Sequence, residues 1–449
     1  MRETIETNQA GESLVSVKTK QDSDIRPQNK WDWVESTIWT ERMLAALNNG
    51  VKGNKWFSLW DKLIRKSTLK IAWEQVNGNK GSAGIDKVSI ARFKEHAERY
   101  LEELAETLRS GTYQPAPIKR VNIPKGDGKM RPLGIPTVKD RIVQTALVKV
   151  IEPIFEKEFK DMSYGFRPRR GCKDALREVD RLLKEGYTWV VDADIQGYFD
   201  NIPQAPLIAR VEERISDGKI LHLIKQYLKQ PIMEALNCHV PQKGTPQGAV
   251  VSPLLANMYL HPLDERITNA GYKMIRYADD FVILCKTEEE AQMVLDAVTK
   301  WTQENGLTLH PEKTHLRHCL EQGQGFEFLG YRFEAGRKYV RKKSISKLRD
   351  AIRAKTKRSC GQSISKIIAD LNPMLRGWFE FFKHAHKTTF NGVDGFVRRR
   401  LRSILRRQRK RTRGTGRNTT DHVRWPNIYF ANLGLFTTQQ AYKAACRSR

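Results

Sequence analysis

Apolar residues recur at helical spacing along several parts of the chain. From Trp56, KWFSLWDKLIRKSTLKIAWEQV has this periodicity and then meets the glycine-rich NGNKGSAGID, which predicts a helix followed by a loop. KDRIVQTALVKVIEPIFEKEF repeats the pattern, and helices are also predicted from about 204 to 230. PQKGTPQG then predicts a loop that leads into a helix over AVVSPLLANMYLHPLDERI.

Three other segments favour β-strands. PIKRVNIPKGDGKMRPLGI predicts two strands around a turn, because Gly126 and Gly128 tolerate the positive φ angles of hairpin turns. YTWVVDADI is a β-branched run typical of a buried strand, and IRYADDFVIL places two acids between strand-like flanks. Together with the helices, these strands predict a mixed α/β sheet domain.

The composition changes past Gly336. Residues 337–417 contain 26 Lys and Arg but 4 Asp and Glu, in helical patterns such as VDGFVRRRLRSILRRQRKR. A packed helical domain with a basic surface is the simplest interpretation. Residues 1 to about 30 are polar, which predicts disorder. The last residues form a short appendix, too small for a core of its own.

The formal net charge of the chain is +28, from 79 Lys and Arg against 51 Asp and Glu. Such a charge favours a polyanionic partner, with nucleic acid as the first candidate. No membrane is expected, because no window approaches the roughly 18 apolar residues of a spanning helix and the N-terminus lacks a signal peptide. The six cysteines are scattered without paired spacing, so we expect an intracellular, reduced protein.

Asp279 and Asp280 stand side by side between apolar runs, a position that by itself is more typical of a solvated turn. A third acid, Asp194, ends the strand-like run VVDAD. Carboxylates gathered at strand ends are costly unless a cation neutralises them, and Mg²⁺ prefers such oxygen ligands. Two such ions about 4 Å apart serve phosphoryl transfer. This pattern indicates polymerase or nuclease chemistry.

Two further features could contact a nucleotide. Lys125 and Arg131 flank a glycine turn and could clamp phosphates, although they could equally be solvated charges on a hairpin. GTPQG, over 244–248, could be only a turn before a helix, or its glycines could let the backbone approach a substrate closely.

The order of these features resembles the reverse transcriptases encoded by bacterial group II introns, the intron maturases. The resemblance runs from about Lys62 to the C-terminus. Eight motifs carry it in the family's order: NKGSAGIDKVSI, VNIPKGDGKMRPLGIPTVKDRIVQTAL, SYGFRPRRGCKDAL, VVDADIQGYFDNI, GTPQGAVVSPLLANMYL, IRYADDFVIL, LTLHPEKTHL and FEFLGYRF.

The resemblance implies an α/β right-hand polymerase fold and a division into four segments. An N-terminal extension, partly disordered, covers 1–55, and fingers and palm with a mixed and antiparallel sheet cover 56–336. An all-α basic thumb, called domain X in maturases, covers 337–413. The short segment 414–449 could be a remnant of a DNA-binding domain. Many relatives end in an HNH endonuclease with paired cysteines and histidines, but only Cys446 follows Cys360 here, so we expect no such domain.

The carboxylates take their roles from the same resemblance. Asp194, Asp279 and Asp280 are implied to bind two Mg²⁺ ions, for which Mn²⁺ could substitute, with the backbone carbonyl of Ile195 as a further ligand. Asp192 is expected to take no part, because the family places its acid five residues before an aromatic residue, and Asp194 has that spacing.

Other residues are implied to contact substrates. Phe199 would pack against the sugar and exclude a 2′-hydroxyl, and Lys313 would be a general acid that protonates pyrophosphate. The implied nucleotide-binding residues are Lys125, Arg131, Gln247 and Gly248. The implied RNA-binding residues of the thumb are Arg398, Arg399, Arg400, Arg402, Arg406 and Arg407.

The implied activity is RNA-directed DNA polymerisation, with binding of the intron RNA to assist splicing and retrohoming. The expected partners are intron RNA, an RNA template with a DNA or RNA primer, deoxynucleotides and target DNA, in the bacterial cytoplasm and in association with the nucleoid. Two alternatives stay open, a splicing-only RNA-binding maturase and a related enzyme recruited to DNA repair or phage defence. The three intact acids favour an active enzyme over the splicing-only alternative.

Overall fold

The computed structural model describes residues 30–126, 129–234, 237–359, 361–408 and 419–447. The helices are α1 Glu41–Asn49, α2 Trp60–Leu63, α3 Lys66–Gly78, α4 Ile90–Glu95, α5 Ala97–Ser110, α6 Val138–Glu156, α7 Cys172–Lys184, α8 Tyr198–Asn201, α9 Gln204–Glu212, α10 Gly218–Leu228, α11 Ser252–Asn269, α12 Glu288–Glu304, α13 Lys342–Lys355, α14 Ile364–Phe382, α15 Thr388–Gln408, α16 Thr419–Arg424, α17 Asn427–Asn432 and α18 Thr438–Arg447.

The strands form three sheets. They are β1 Ile118–Gly126, β2 Lys129–Ile135, β3 Trp189–Asp194, β4 Ile232–Glu234, β5 Asn237–His239, β6 Lys273–Tyr277, β7 Asp280–Cys285, β8 His315–His318, β9 Phe326–Phe328, β10 Tyr331–Glu334 and β11 Arg337–Val340. Their orders are β2-β1-β4-β5, β6-β7-β3-β8 and β11-β10-β9.

The second of these sheets, the palm sheet, is antiparallel throughout and buried on both faces. Side chains that alternate along β3 enter different cores, since Val191 and Ala193 belong to one cluster and Val190 to another. Helix α12 packs on this sheet, and α7 packs against β6. Burial of both faces explains why YTWVVDADI is almost continuously apolar until it reaches its acids.

The fingers contain the predicted hairpin of β1 and β2, with a register shift between Pro124 and Gly126. The helix predicted from Trp56 is instead two helices, α2 and α3, which are separated between Leu63 and Lys66. The Thr68 hydroxyl donates to the Lys62 carbonyl at 2.7 Å and bridges this break.

Residues 30–55 of the N-terminal extension pack onto the fold. Trp31, Trp39 and Leu47 are buried in the same core as α6. The Trp39 indole donates to the Lys149 carbonyl at 3.2 Å, and the Lys157 ammonium donates to the Leu47 carbonyl at 2.5 Å. Residues 30–55 therefore belong to the same packed core as α6.

The boundary expected between 336 and 337 lies inside the hairpin of β10 and β11, so the helical thumb begins at Lys342. Helices α13, α14 and α15 share one apolar core with Trp425 and Phe430 of the C-terminal segment. Buried Asp394 accepts from the backbone of Thr438 at 2.9 Å and of Gln439 at 3.0 Å, which caps α18. The C-terminal segment is thus docked on the thumb. The boundary expected at 413/414 lies outside the described residues.

No helix among the described residues is long and apolar enough to cross a membrane.

Candidate active site

Two strand pairings bring the three predicted acids to one end of the palm sheet. Asp194, the last residue of β3, lies directly opposite Asp280, the first residue of β7. Tyr277 pairs with Asp280, so Ala278 and Asp279 form a two-residue turn in which Ala278 has a φ of 61°. A turn this short holds Asp279 at the tip, next to the Asp194–Asp280 pair.

The acids influence one another electrostatically. Burial and the neighbouring Asp279 and Asp194 carboxylates raise the pKa of Asp280 to about 7. Burial and Asp194 also raise the pKa of Asp279, which Arg131 opposes. Burial and Asp280 raise the pKa of Asp192 to about 7. Each pKa is raised because burial and neighbouring carboxylates disfavour a further negative charge at this end of the sheet.

The carboxylate oxygens of Asp194, Asp279 and Asp280 are ligands that suit a hard divalent cation, but Asp194 forms an ion pair with Lys313. Among the described residues, no group of three or more His, Cys, Asp or Glu converges on a common metal position. The Lys313 ammonium instead lies 2.5 Å from Asp194 Oδ2, so it provides the positive charge that a metal ion would supply. Carboxylate oxygens are the ligands that Mg²⁺ prefers, and reorientation of Lys313 would free Asp194 to act as one.

A cavity of about 760 Å³ opens above the acids and contains most of the predicted substrate residues. Its lining includes the predicted residues Arg131, Asp194, Ile195, Phe199, Gln247, Gly248, Asp279, Asp280 and Lys313. These residues come from fingers and palm elements that are far apart in the chain. The fold therefore brings them together as the motifs predicted. The side chain of Lys125 lies outside the described part of the chain, and its role stays a prediction.

The GTPQG loop joins the fingers to the palm. Gly134 of β2 donates its N–H to the Gln247 carbonyl at 2.7 Å, and the Gln247 side chain donates to Asp200 Oδ2 at 2.7 Å. A Cβ on Gly248, which has a φ of +103°, would lie 2.3 Å from the Gly134 carbonyl oxygen. Glycine is therefore required for this close approach. Thr245 N donates to the Phe199 carbonyl at 2.7 Å, which fixes the loop to α8.

Two family models match the chain. The model described as "Reverse transcriptase (RNA-dependent DNA polymerase)" matches residues 123–333, and the model described as "Group II intron, maturase-specific domain" matches residues 345–423. Protein YkfC of Escherichia coli K12 is 34% identical over 294 residues, which cover 56% of this chain and 75% of that protein. Group II intron-encoded protein LtrA of Lactococcus lactis subsp. cremoris is 32% identical over 354 residues.

The chain belongs to the group II intron-encoded reverse transcriptases. The match to LtrA covers 64% of this chain and 58% of LtrA, so this reverse transcriptase spans a little over half of that relative. Among solved structures, a chain of the partial Cas6-RT-Cas1–Cas2 complex is 28% identical over a match that covers 55% of this chain and 41% of that chain, with a TM-score of 0.36. The resemblance and the right-hand fold are confirmed, and the family uses divalent metal ions.

A buried network that the motifs did not predict supports the acidic turn of this reverse transcriptase. Arg276 donates to both carboxylate oxygens of Asp264 at 2.7 and 2.5 Å, to Asn257 Oδ1 at 2.9 Å and to the Ala278 carbonyl at 2.9 Å. Asn257 Nδ2 in turn donates to the Gly165 carbonyl at 2.8 Å. Burial opposes the charge of Arg276, but Asp264 outweighs it and leaves the pKa of the guanidinium raised.

Gln144 is a second residue that the sequence interpretation missed. Its side-chain carbonyl oxygen accepts from the backbone N–H of Val250 at 2.7 Å, immediately before α11. Gln144 is fully buried within α6. A polar residue on the apolar face of KDRIVQTALVKV was the available signal, since a buried amide needs a partner.

We predict that Gly165→Ala displaces the acidic turn. The added Cβ would lie 2.2 Å from the Ala278 backbone nitrogen, a distance that only backbone movement can relieve. Primer extension on an RNA template should fall by at least about 100-fold, as expected when reacting groups shift by about 1 Å. Gly377→Ala is the matched control, because a Cβ there meets nothing within 4 Å. Equal activity of the two variants would contradict the close packing.

The six predicted RNA-binding arginines do not share one role. Arg402 is 5% exposed and donates to the Trp425 carbonyl, and Arg406 is 8% exposed and pairs with Asp421 at 3.0 Å. Arg400 donates to the Thr356 carbonyl at 2.6 Å at the end of α13. These three side chains hold the thumb together. Their guanidinium groups have protein partners, and their assignment to the RNA-binding surface stays a prediction.

The other three arginines keep their charges accessible. Arg398 is half-buried, and Arg399 and Arg407 are exposed. Arg349, Arg353 and Arg399 surround the Phe396 ring, with their guanidinium carbons 5.2 to 5.6 Å from its centroid. These residues and Arg398 line a cavity of about 610 Å³ in the thumb. This basic thumb surface, formed by Arg349, Arg353, Arg398 and Arg399, was only partly predicted.

Proposed function

We propose that this chain is an RNA-directed DNA polymerase that also binds its intron RNA to assist splicing and retrohoming. One observation carries the proposal. The three acids, Asp194, Asp279 and Asp280, line the same cavity as Arg131 and Gln247. Family membership supports the same activity. Target DNA and a nucleoid-associated, cytoplasmic location belong to this proposal.

The residues around the cavity have distinct proposed roles. Asp194, Asp279 and Asp280, together with the Ile195 carbonyl, would hold two Mg²⁺ ions. When bound, Mg²⁺, or Mn²⁺ in its place, would activate the primer hydroxyl and stabilise the leaving oxygen. Lys313 would release Asp194 and then be free to give a proton to the departing pyrophosphate.

The nucleotide would lie between β2 and the GTPQG loop. Arg131 would bind its phosphates as a bidentate donor, and Lys125 would provide a second positive charge. Phe199, which is half-buried between Asp194 and the GTPQG loop, would pack on the sugar and leave no room for a 2′-hydroxyl. Gln247 and Gly248 would line the side of the pocket that faces the base and sugar of the nucleotide.

Primer extension by the purified chain tests the polymerase proposal. The reaction needs an RNA template, a DNA primer, deoxynucleotides and Mg²⁺, and extension to the end of the template is expected. Binding of the template–primer without any extension would favour the splicing-only alternative.

We predict that the basic thumb surface contributes phosphate contacts. Changing Arg349, Arg398 and Arg399 together to Gln should weaken intron RNA binding and lower the slope of log K against log salt concentration by about 1 for each lost contact. Filter binding over a salt series measures both effects. The control changes three exposed residues of the fingers to Gln, Lys66, Arg99 and Arg109, which pair with glutamates. An unchanged slope in the thumb variant would exclude these contacts.

A further inference from the structure

Phe166 combines two features that an aromatic residue rarely shows together. Its side chain is 52% exposed, and its backbone φ is +55°, in the left-handed region that residues with a bulky side chain avoid. Neither feature stabilises the fold, because the exposed ring buries little area and the backbone is strained. Residues held in such conformations cluster at functional sites.

The neighbours of Phe166 impose its strained backbone. Gly165 packs so closely on the acidic turn that a Cβ would lie 2.2 Å from the Ala278 nitrogen. On the other side, Arg167 is buried and donates to both carboxylate oxygens of Glu156 at 2.8 and 2.6 Å. With both flanking residues fixed, the surrounding structure holds the backbone of Phe166 in place.

The ring faces the cavity above the carboxylates. Phe166 lines that cavity together with Asp279, and its ring centroid is 6.5 Å from that of Tyr277. The two rings form an apolar wall at a site otherwise lined by charges.

Phe166 approaches this cavity from the side of β6. Ser163 pairs with Arg276 of β6, so the segment before Phe166 adjoins the β6 edge of the palm sheet. Counted from this segment across β6 and β7, β3, which leads to Phe199, lies three strand spacings away, about 14 Å at the usual spacing. In nucleotidyl transfer the nucleotide and the primer terminus must meet at the carboxylates between them. The β6 end is therefore left for the primer.

We propose that Phe166 is a positioning residue for the template–primer duplex, with its ring packed against the nucleoside at the primer 3′ end. This inference rests on the proposed polymerase function. Aromatic rings bind nucleosides with little dependence on sequence, because every base and sugar offers an apolar face. A ring oriented by the protein before binding holds the 3′-hydroxyl toward the carboxylates without an ordering cost.

Phe166→Asn tests the role of the ring, because Asn tolerates a positive φ better than other residues and removes the aromatic surface. We expect the KM for template–primer to rise at least about fivefold, as for loss of one stacking contact, with the KM for deoxynucleotide unchanged. The melting temperature should stay the same or rise, since the strain is relieved. Phe166→Tyr should retain the wild-type KM.

Phe57→Asn is the matched control, since Phe57 is 75% exposed and lies outside the cavity lining; its KM values should match the wild type. An unchanged KM for template–primer in Phe166→Asn, or a rise only in the KM for deoxynucleotide, would overturn the assignment. If the Asn variant does not fold, Phe166→Leu decides the matter by the same measurement. Failure of the wild-type chain to extend any primer would instead refute the polymerase function.

Discussion

Asp279→Asn is expected to reduce RNA-templated primer extension by at least about 1,000-fold, a loss typical of a group that stabilises charge in the transition state. The substitution keeps the size of the side chain and removes one negative charge from the tip of the turn between β6 and β7. Affinity for template–primer should change little, because the basic surfaces are untouched. Single-turnover extension and filter binding separate the two effects.

Asp192→Asn is the matched control for this substitution. Asp192 lies on the same strand, two residues before Asp194, and pairs with Val282 and His315 in the sheet. Its carboxyl has a pKa raised to about 7, so the neutral amide resembles one of its natural states. Activity near the wild-type level is expected for Asp192→Asn. A comparable loss in both variants would show that Asp279 has no special role at the tip.

Arg276→Met should destabilise the palm by about 3–5 kcal/mol, the usual cost of leaving one partner of a buried ion pair without the other. Arg276 and Asp264 are both fully buried, so Asp264 would be left as an uncompensated charge. Loss of the bond to the Ala278 carbonyl should also loosen the acidic turn and lower primer extension. Urea unfolding and extension at a temperature where the variant is folded measure the two consequences.

The double variant Arg276→Met/Asp264→Leu distinguishes charge burial from packing. Removing both charges should restore much of the stability, while primer extension should stay low because the Ala278 carbonyl still lacks its donor. Lys300→Met, which breaks an exposed pair 4.0 Å long with Glu304, should change neither property. Full recovery of extension in the double variant would contradict the positioning role of Arg276.

The site was predictable where its signals are local in the chain. Asp279 and Asp280 are adjacent at one tight turn, and the glycines of GTPQG have positive φ angles, so short motifs carry that information. Arg276 and Gly165 were missed because their roles depend on partners 12 and 92 positions away, Asp264 and Asn257. A single sequence shows a charge or a glycine at such positions but not the group it meets.

The thumb shows the same limit. Helical periodicity identified a basic helical segment, but it could not tell which arginines meet the docked C-terminal segment and which face solvent. Arg402 donates to Trp425 and Asn427, 23 and 25 residues later in the chain. Similarly, the burial of Trp31 and Trp39 in the same core as α6 follows only from the three-dimensional fold.

Primer extension by the wild-type chain on an RNA template, with and without Mg²⁺, is the most direct test of the central claim that the three acids form a polymerase site. The claim predicts extension of a labelled DNA primer to the template end with Mg²⁺ and none after its removal by EDTA. Absence of extension at saturating Mg²⁺, while filter binding shows the template–primer bound, would contradict it.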